Sequence, residues 1–266
     1  MGYRQIKILS DFKHSLRGLC VDSHDNLYAA GDSEIQVFDP TGTLLHRWPT
    51  EKPPWCVAVA PNGRIYTGAT GQIQIFEQSG KSLPIWRDPT WRGEITAIGF
   101  LNNGVLVAET KDRSIRRYDN KGALVATIGK NNLTVGFLIP NGVLDFSVDS
   151  AGVIHAANPG KHRVERYNAD GKLLGHIGHF DGVKPEGFPG CCNPTNLKVG
   201  PDGMCYVTEK AGPRAKVLDA DGKLIAVIAD EVFDRNAKNM AIAVGSKGRV
   251  FVGDSGKMRI YVYDPA

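Results

Sequence analysis

The sequence has no apolar run of the length that a membrane-spanning helix needs, and no segment keeps the helical spacing of apolar residues. The first absence excludes a membrane-spanning helix, and the second argues against a helical fold. Glycine-rich phosphate loops, serine-centred nucleophile elbows and the metalloprotease helix motif are also missing. The chain therefore lacks the usual signals of P-loop, elbow-type serine hydrolase and zinc-protease chemistry.

Neither net charge nor cysteine is abundant. The 32 lysines and arginines stand against 28 acidic residues, which gives a formal net charge of +4, and the basic residues are scattered. A nucleic-acid-binding face usually has a denser basic patch with interleaved aromatics, so the composition argues against a nucleic-acid partner. Five cysteines cannot all pair, and none stands in a Cys-x-x-Cys motif. A strand pattern follows Met1-Gly2 directly, so we find no signal peptide in this sequence. Whether the protein is exported by a leader absent from this chain is a question that we leave open.

The feature that the sequence does have is a phrase repeated six times. Each copy contains a short apolar strand, a small turn, a second apolar strand that ends in a small or acidic residue, and a third strand that usually ends in an aromatic residue. Val, Ile, Tyr and Phe dominate these short runs, as in half-buried strands. Repetition at this length indicates a propeller, a solenoid or an array. The first turn of each copy falls at Asp25, Gly63, Gly104, Gly152, Gly203 and Gly248.

We predict an all-β fold with one domain, 1–266, forming a six-bladed β-propeller of four-stranded antiparallel blades. The last copy ends at its third strand, so the N-terminal segment 3–9 is expected to join the last blade as its fourth strand and close the ring. Closure removes long exposed sheet edges. The predicted blades span approximately 16–50, 53–89, 94–130, 141–179, 191–230 and 237–266.

The copies resemble NHL repeats, a propeller module with a phrase of the form V-Y-V-A-D-x-x-x-x-R-I. Val250-Phe-Val-Gly-Asp254 followed by Arg259-Ile is the best match, and Cys205-Tyr-Val-Thr-Glu209 followed by Arg214 is a looser one. The resemblance covers nearly the whole chain and implies a propeller. NHL-type propellers include lyases, lactonase-like hydrolases, RNA binders and interaction scaffolds, so the resemblance does not choose a function. We interpret the acid and arginine of each phrase as a tie between second and third strands.

The longest connection in the chain, 176–196, lies between the fourth and fifth copies and contains Cys191-Cys192-Asn-Pro194. Long loops on a rigid scaffold often carry function. In a propeller this connection emerges on the same face as the loops between second and third strands, which we name the top face. The side chains expected to approach one another there are Cys191, Cys192, His179, His162 and Glu209.

The adjacent cysteines have three interpretations. They are soft metal ligands or a reactive thiolate, a vicinal disulfide, or two structural thiols. As ligands they would bind a thiolate-held transition metal (Cu, Zn or an Fe–S centre) with a nitrogen of His179 or His162, and Glu209 would orient the imidazole. The segment Gly187-Phe-Pro-Gly-Cys-Cys-Asn-Pro194 resembles one found in an uncharacterised bacterial group of NHL-type proteins, which implies a shared site without an assigned activity.

Alignment of the six copies also predicts which residues line the mouth of the central channel. The starts of the inner strands bring together guanidinium, aromatic, thiol, acid and amide groups, a mixture that favours a binding site over a plain structural channel. Cys20 and Cys205 lie inside strand patterns, and we expect both in the core. The predicted channel-mouth residues are Arg17, Trp55, Cys56, Asp145 and Asn196.

Three functions follow as hypotheses. The first is a binding or electron-transfer accessory protein with a cysteine-centred metal or redox site on the top face. The second is a divalent-cation-dependent hydrolase or lyase of the lactonase or amidating-lyase type, using Asp145 and Asn196. The expected lactonase glutamate is missing at the first inner strand, and His14, His162 and His179 do not align with the amidating-lyase histidines.

The third function is a scaffold without chemistry, which binds a protein partner on the top face through Trp55 and Phe188. A small-molecule ligand is compatible with all three hypotheses. The triplet Asn132-Leu-Thr134 would accept a glycan only if the protein were secreted by a eukaryote.

Overall fold

The computed structural model describes residues 2–9, 12–130, 136–210 and 212–266, and the triplet at Asn132 lies outside these residues. Six antiparallel sheets form a ring around a central channel, which confirms the predicted six-bladed β-propeller. Within the described residues the one helix is a short 3₁₀ turn, Pro159–Lys161. No described helix has the length and apolar character needed to cross a membrane.

The strands follow the repeated phrase of the sequence. The chain begins with β1 (Tyr3–Leu9), and blades one to three then comprise β2 (Gly18–Val21), β3 (Leu27–Gly31), β4 (Glu34–Phe38), β5 (Leu44–Pro49); β6 (Cys56–Val59), β7 (Ile65–Ala69), β8 (Gln72–Phe76); and β9 (Ile95–Leu101), β10 (Gly104–Glu109), β11 (Ser114–Asp119), β12 (Leu124–Ile128).

Blades four to six continue the same order from the channel outward. They comprise β13 (Phe146–Val148), β14 (Ile154–Asn158), β15 (Arg163–Tyr167), β16 (Leu173–Ile177); β17 (Asn196–Val199), β18 (Cys205–Glu209), β19 (Arg214–Leu218), β20 (Leu224–Asp230); and β21 (Ile242–Val244), β22 (Val250–Asp254), β23 (Arg259–Pro265).

The N-terminal strand closes the ring, as the sequence predicts. β1 pairs antiparallel with β23, from Tyr3 opposite Pro265 to Leu9 opposite Ile260, and completes the sheet β1-β23-β22-β21. Leu9 is buried at the seam between blades six and one. The first and last segments of the chain therefore form one blade.

Blade two differs from the prediction of four strands. Its described sheet has three strands, β6-β7-β8, and the following segment makes only isolated bridges, Ile73 with Trp86 and Phe76 with Ser82. Pro84 lies between the bridged residues, and proline has no N–H to donate to a strand ladder. The outer edge of β8 is thus covered by an irregular segment.

The hydrophobic core consists of six seams between neighbouring blades, because each short sheet can bury its two faces only against its neighbours. Cys205 packs in the seam between blades four and five, as expected for a core thiol. Each of five interblade connectors adds one buried aromatic side chain at the top of a seam: Phe12, Trp91, Phe137, Phe188 and Phe233.

The acidic residue at the end of the second strand anchors this connector. Asp254 accepts hydrogen bonds from the N–H groups of Asp234 (2.7 Å) and Gly256 (2.8 Å), and Glu109 accepts from Gly93 and from Asp112 at 2.7 Å. The predicted acid–arginine tie between second and third strands is present in blade five. In blades three and six the carboxylate instead accepts hydrogen bonds from backbone N–H groups, and so fixes the path of the connector.

Candidate functional site

The inner strands β2, β6, β9, β13, β17 and β21 enclose a cavity of about 590 Å³. It extends from the starts of these strands, on the top face, to the turns around His24 and Asn62 at the opposite face. Its lining residues include both apolar and polar side chains. The polar side chains that line it include Arg17, Cys20, Cys56, Asp145, Asn196 and Lys198.

Asp145, at the start of the inner strand of blade four, is the acidic group at the top of this cavity. Its Oδ2 accepts hydrogen bonds from Asn196 Nδ2 and from the Leu197 N–H, both at 3.0 Å, and its Oδ1 accepts from the Phe146 N–H at 2.9 Å. Burial raises the pKa of Asp145 to about 6, although these hydrogen bonds oppose the rise. A carboxylate oxygen can accept two hydrogen bonds, so Oδ1 keeps one acceptor position for a molecule in the cavity.

The cavity also holds a cation and two thiols. Lys198 projects from β17, and its charge favours the ionised forms of Asp145 and Cys20. Burial nevertheless raises the pKa of Cys20, and it raises the pKa of Cys56 to about 12. Both thiols are therefore protonated at neutral pH and are poor nucleophiles. Cys20, which we expected in the core, packs against the core seam between blades one and two, but it is half-buried and also lines the channel.

Arg17 and Trp55 form a stacked pair at the top of the channel. The Arg17 guanidinium carbon lies 3.9 Å from the centre of the Trp55 ring, which is within range of a cation–π interaction. Burial lowers the pKa of Arg17, whereas the Glu94 carboxylate raises it. Both side chains of the pair are half-buried, so the stack presents a flat cationic surface beside the cavity.

The polar side chains at the starts of the inner strands also link neighbouring blades. Thr96 Oγ1 donates to the Leu144 carbonyl at 2.7 Å, and Asn239 Nδ2 donates to the Arg17 carbonyl at 2.5 Å. Asn196 Oδ1 accepts from the Met240 N–H at 3.3 Å. The Asn196 oxygen predicted to bind a cation is thus engaged in an interblade bond, and its amide donates to the carboxylate with which it would share that cation.

The structure brings Cys191 and Cys192 together, with their sulfur atoms 3.2 Å apart. Cys191 is exposed and Cys192 is buried, and both are free thiols. Burial and the neighbouring Cys191 thiol raise the pKa of Cys192, while Lys210 opposes the rise. This pair lies at the end of the long connector.

The predicted metal ligands do not come together. The ring of His162 packs against the ring of Phe180 at 4.9 Å between centroids, and its buried Nδ1 has no hydrogen-bond partner among the described residues. His179 is exposed, and its carbonyl accepts from the Phe188 N–H at 2.8 Å. In the part of the chain that the structure describes, no three His, Cys, Asp or Glu side chains are grouped to hold a metal ion.

The sequence led us to expect that Glu209 orients an imidazole. In the structure its carboxylate instead contacts two basic side chains. Its Oε1 lies 2.6 Å from Lys216 Nζ, and its Oε2 accepts from Arg214 Nε at 2.8 Å. The reason lies in the connector. The residue after Phe188 is Pro189, which has no N–H to donate to the Glu209 carboxylate. In blade six the residue after the buried Phe233, Asp234, donates its backbone N–H to Asp254. Lys216 supplies the missing charge compensation.

The side chain of Lys216 also anchors the long connector. Its Nζ donates to the carbonyls of Pro185 (2.8 Å) and Gly187 (2.7 Å) and lies 4.1 Å from the centre of the Phe188 ring. Phe188 is completely buried, so its predicted role in partner binding is wrong. Phe180, which is 61% exposed, is the accessible aromatic residue of this loop.

Sequence reasoning missed Lys198 and Lys216. Both stand as charged residues inside apolar strand patterns, Leu197-Lys-Val199 and Ala215-Lys-Val217, and that break in the pattern was the available signal. The partners of Lys216, however, lie in a loop whose path the repeat does not predict.

The fold and the channel define the chain as a six-bladed β-propeller with a polar cavity on its axis. A streptogramin B lyase structure matches it with a TM-score of 0.70, at 13% identity over 98% of this chain and 97% of that one. A catalytically inactive histidine-to-alanine variant of virginiamycin B lyase from Staphylococcus aureus, with quinupristin, matches with a TM-score of 0.64, at 11% identity over 99% of both chains.

A selenomethionine-substituted virginiamycin B lyase from Staphylococcus aureus matches with a TM-score of 0.60, at 15% identity over 99% of this chain and 89% of that one. At such identities the likeness establishes the fold alone. No protein-family model and no curated protein sequence matches the chain. The NHL repeat and the bacterial group with the Gly-Cys-Cys-Asn-Pro segment therefore stay resemblances of sequence.

Proposed function

We propose that the protein is a lyase that acts on a small molecule bound in the central channel, with Asp145 as its acid–base group. The observation that carries this proposal is a cavity-lining carboxyl whose pKa burial raises to about 6. General acid–base catalysis is most effective when the pKa of the group lies near the working pH. The full-length match to lyase structures supports the same class of reaction.

The channel supplies the groups that an elimination requires. Ionised Asp145 takes a proton from carbon through Oδ1, the C–H electron pair forms the new double bond, and the leaving group departs with its own electron pair. Lys198 stabilises negative charge that develops on the substrate, because its ammonium group lies on the wall of the same low-dielectric cavity. The Arg17–Trp55 stack positions a planar or anionic part of the substrate at the mouth.

Quinupristin is the first probe, because one of the similar structures contains it. We expect products whose masses sum to that of the substrate, since a lyase adds no water. We expect Asp145→Asn to slow turnover by about 100-fold or more, as for loss of a general base. Asp149→Asn is the matched control, because this carboxylate of the same blade is held by backbone N–H groups and His155 outside the cavity.

Products heavier by one water would identify a hydrolase instead. Equal turnover by wild type and Asp145→Asn would remove Asp145 from the mechanism, and turnover that is lost equally in the Asp149→Asn control would indicate a folding defect. Isothermal titration with the same compound separates binding from chemistry, because a bound but unchanged ligand would favour a binding protein.

The accessory role with Cu, Zn or an Fe–S centre has less support. The two thiols are adjacent, but among the described residues no three His, Cys, Asp or Glu side chains are grouped to hold a metal ion, and Glu209 is bound to Lys216 and Arg214. The scaffold role loses Phe188 as a contact. Elemental analysis of anaerobically purified protein tests the first of these alternatives, and a stoichiometric metal that is lost in Cys191→Ser would favour it over the lyase.

A further inference from the structure

The long connector ends in two adjacent free thiols, Cys191 and Cys192, which take no part in the proposed lyase chemistry. Cys191 and Cys192 are consecutive, and their sulfur atoms lie 3.2 Å apart on the top face. A disulfide bond is about 2.0 Å long, so the sulfur atoms need to approach by only about 1 Å to bond. The other three cysteines, Cys20, Cys56 and Cys205, lie in the channel wall or the core.

The backbone around the pair is held in place on both sides. Gly190 precedes it in a left-handed conformation, with φ 65°, which favours glycine. Asn193 is buried, donates to the Pro189 carbonyl at 2.8 Å and accepts from the Lys210 N–H at 2.6 Å. Thr195 Oγ1 donates to the Cys192 carbonyl at 3.0 Å. The two sulfur atoms are thus held side by side by a fixed turn.

We propose that Cys191 and Cys192 are a redox modification site, which small-molecule disulfides oxidise reversibly to a vicinal disulfide. The Cys191 thiolate attacks one sulfur of the disulfide, a mixed disulfide forms, and the first small thiolate leaves. The Cys192 thiolate then attacks Cys191 Sγ and displaces the second small thiolate. The protein loses two electrons and two protons, and the small disulfide becomes two thiols.

The asymmetry of the pair assigns the two roles. Cys191 is exposed, so a small disulfide can reach it, whereas Cys192 is buried beside it. Burial raises the pKa of Cys192, which keeps this thiol protonated and slow toward external reagents. Once Cys191 carries the mixed disulfide, the short distance between the sulfur atoms makes attack by Cys192 intramolecular and fast.

The product should be easily reduced again. Adjacent Cα atoms lie about 3.8 Å apart, which is below the separation of about 4.4 Å or more that disulfides usually span. The resulting ring is strained, and strained exposed disulfides are the labile ones. This inference is independent of the proposed lyase function, because it concerns residues of the long connector outside the channel lining and a different chemistry.

Oxidised glutathione tests the proposal on the whole protein, with intact mass as the measurement. We expect wild type to lose two hydrogens without keeping glutathione, and dithiothreitol to restore the original mass. Cys192→Ser should stop with one glutathione on Cys191, because the resolving thiol is absent, and Cys191→Ser should stay unmodified. Cys205→Ser is the matched control, with a core thiol removed, and should behave as wild type.

Three results would overturn the proposal: wild type that stays fully reduced under excess oxidised glutathione, wild type that stops at the mixed disulfide, or oxidation that proceeds unchanged in Cys191→Ser. Peptide mapping of the oxidised protein locates the bond, and a bridge between any other pair of cysteines would also contradict it.

Discussion

Lys216 illustrates what a single residue does in this propeller. Its ammonium group is completely buried and is compensated by Glu209 and by two carbonyls of the long connector. Burial lowers the pKa of Lys216 and raises that of Glu209, and the attraction between the two opposes both shifts. A buried ion pair of this kind is costly to break on one side only, because the remaining charge has no solvent.

Replacement of Lys216 by methionine should therefore destabilise the protein by about 3–5 kcal/mol, since it leaves Glu209 buried beside Arg214 alone. Urea unfolding measures the change. Lys223→Met, at an exposed lysine of the same blade, is the control and should change stability by less than about 0.5 kcal/mol. The double variant Lys216→Met with Glu209→Gln should recover part of the loss. Equal stability of Lys216→Met and wild type would contradict the assigned role.

Asp145 makes stability depend on pH in a defined direction. Its folded pKa, about 6, lies above its ordinary value of 3.8, so the folded state binds the proton more tightly than the unfolded state. The contribution of Asp145 to stability therefore falls as pH rises from about 4 to about 6, by about 3 kcal/mol in all. Asp145→Asn should remove this decline from the curve of unfolding free energy against pH.

Asp149 is the opposite case and serves as the control. Burial would raise its pKa, but hydrogen bonds from His155 and Val153 hold it below the ordinary value. Its contribution is present above that ordinary value and is lost as pH falls through the folded pKa. Asp149→Asn should thus flatten the acid side of the curve and leave the decline due to Asp145 in place. A wild-type curve that rises between pH 4 and 6 in parallel with Asp145→Asn would refute the prediction.

At the scale of elements, the connectors between blades share one design. Each of the five aromatic connectors places a buried side chain at the top of a seam. In blades one, three, four and six, a carboxylate or amide oxygen at the end of the second strand also accepts a hydrogen bond from a backbone N–H of the connector. The repeat predicts the strands, but it gives no sign of this aromatic residue, because connector lengths vary and shift its position.

Phe188 and Phe180 allow a test within one connector. Phe188→Ala should cost about 3–5 kcal/mol, because it leaves a cavity beside Lys216 and Gly178. Phe180→Ala, at a 61% exposed aromatic of the same loop, should cost far less. Chemical denaturation compares the two. Similar losses in both variants would show that the loop does not depend on the buried ring.

At the scale of the whole molecule, stability depends on closure of the ring. β1 pairs with β23 from Tyr3 to Leu9, with one irregularity between Gln5 and Lys7, and covers an edge of β23 that would otherwise be open. Each blade buries its faces only against two neighbours, so one loosened blade exposes two seams. The closing strand should therefore contribute to the stability of all six blades.

Removal of residues 1–10 should lower the unfolding temperature by at least about 4 °C, as expected for the loss of a few kcal/mol in a chain of this size. Differential scanning calorimetry measures the shift. Ile8→Ser is the control, since this side chain is 40% exposed on the retained strand and should change little. Equal unfolding temperatures for the truncated and full chains would mean that the ring is stable without its closing strand.

The sequence alone determined the number of blades, most strand positions and the closing strand. These properties depend on local periodicity, on turn residues and on a repeat that can be compared with itself. It also identified channel-lining positions such as Arg17 and Asp145, because equivalent positions in a repeat occupy equivalent places.

Only the tertiary structure decided which side chains meet. Among the described residues it grouped no three His, Cys, Asp or Glu side chains for a metal ion, and it placed Glu209 beside Lys216. It also revealed Lys198 in the same cavity as Asp145. Lys198 and Asp145 belong to different blades, and Lys216 also holds the long connector. The geometry of such contacts follows from how the ring and its connectors pack, which no local pattern of residues encodes.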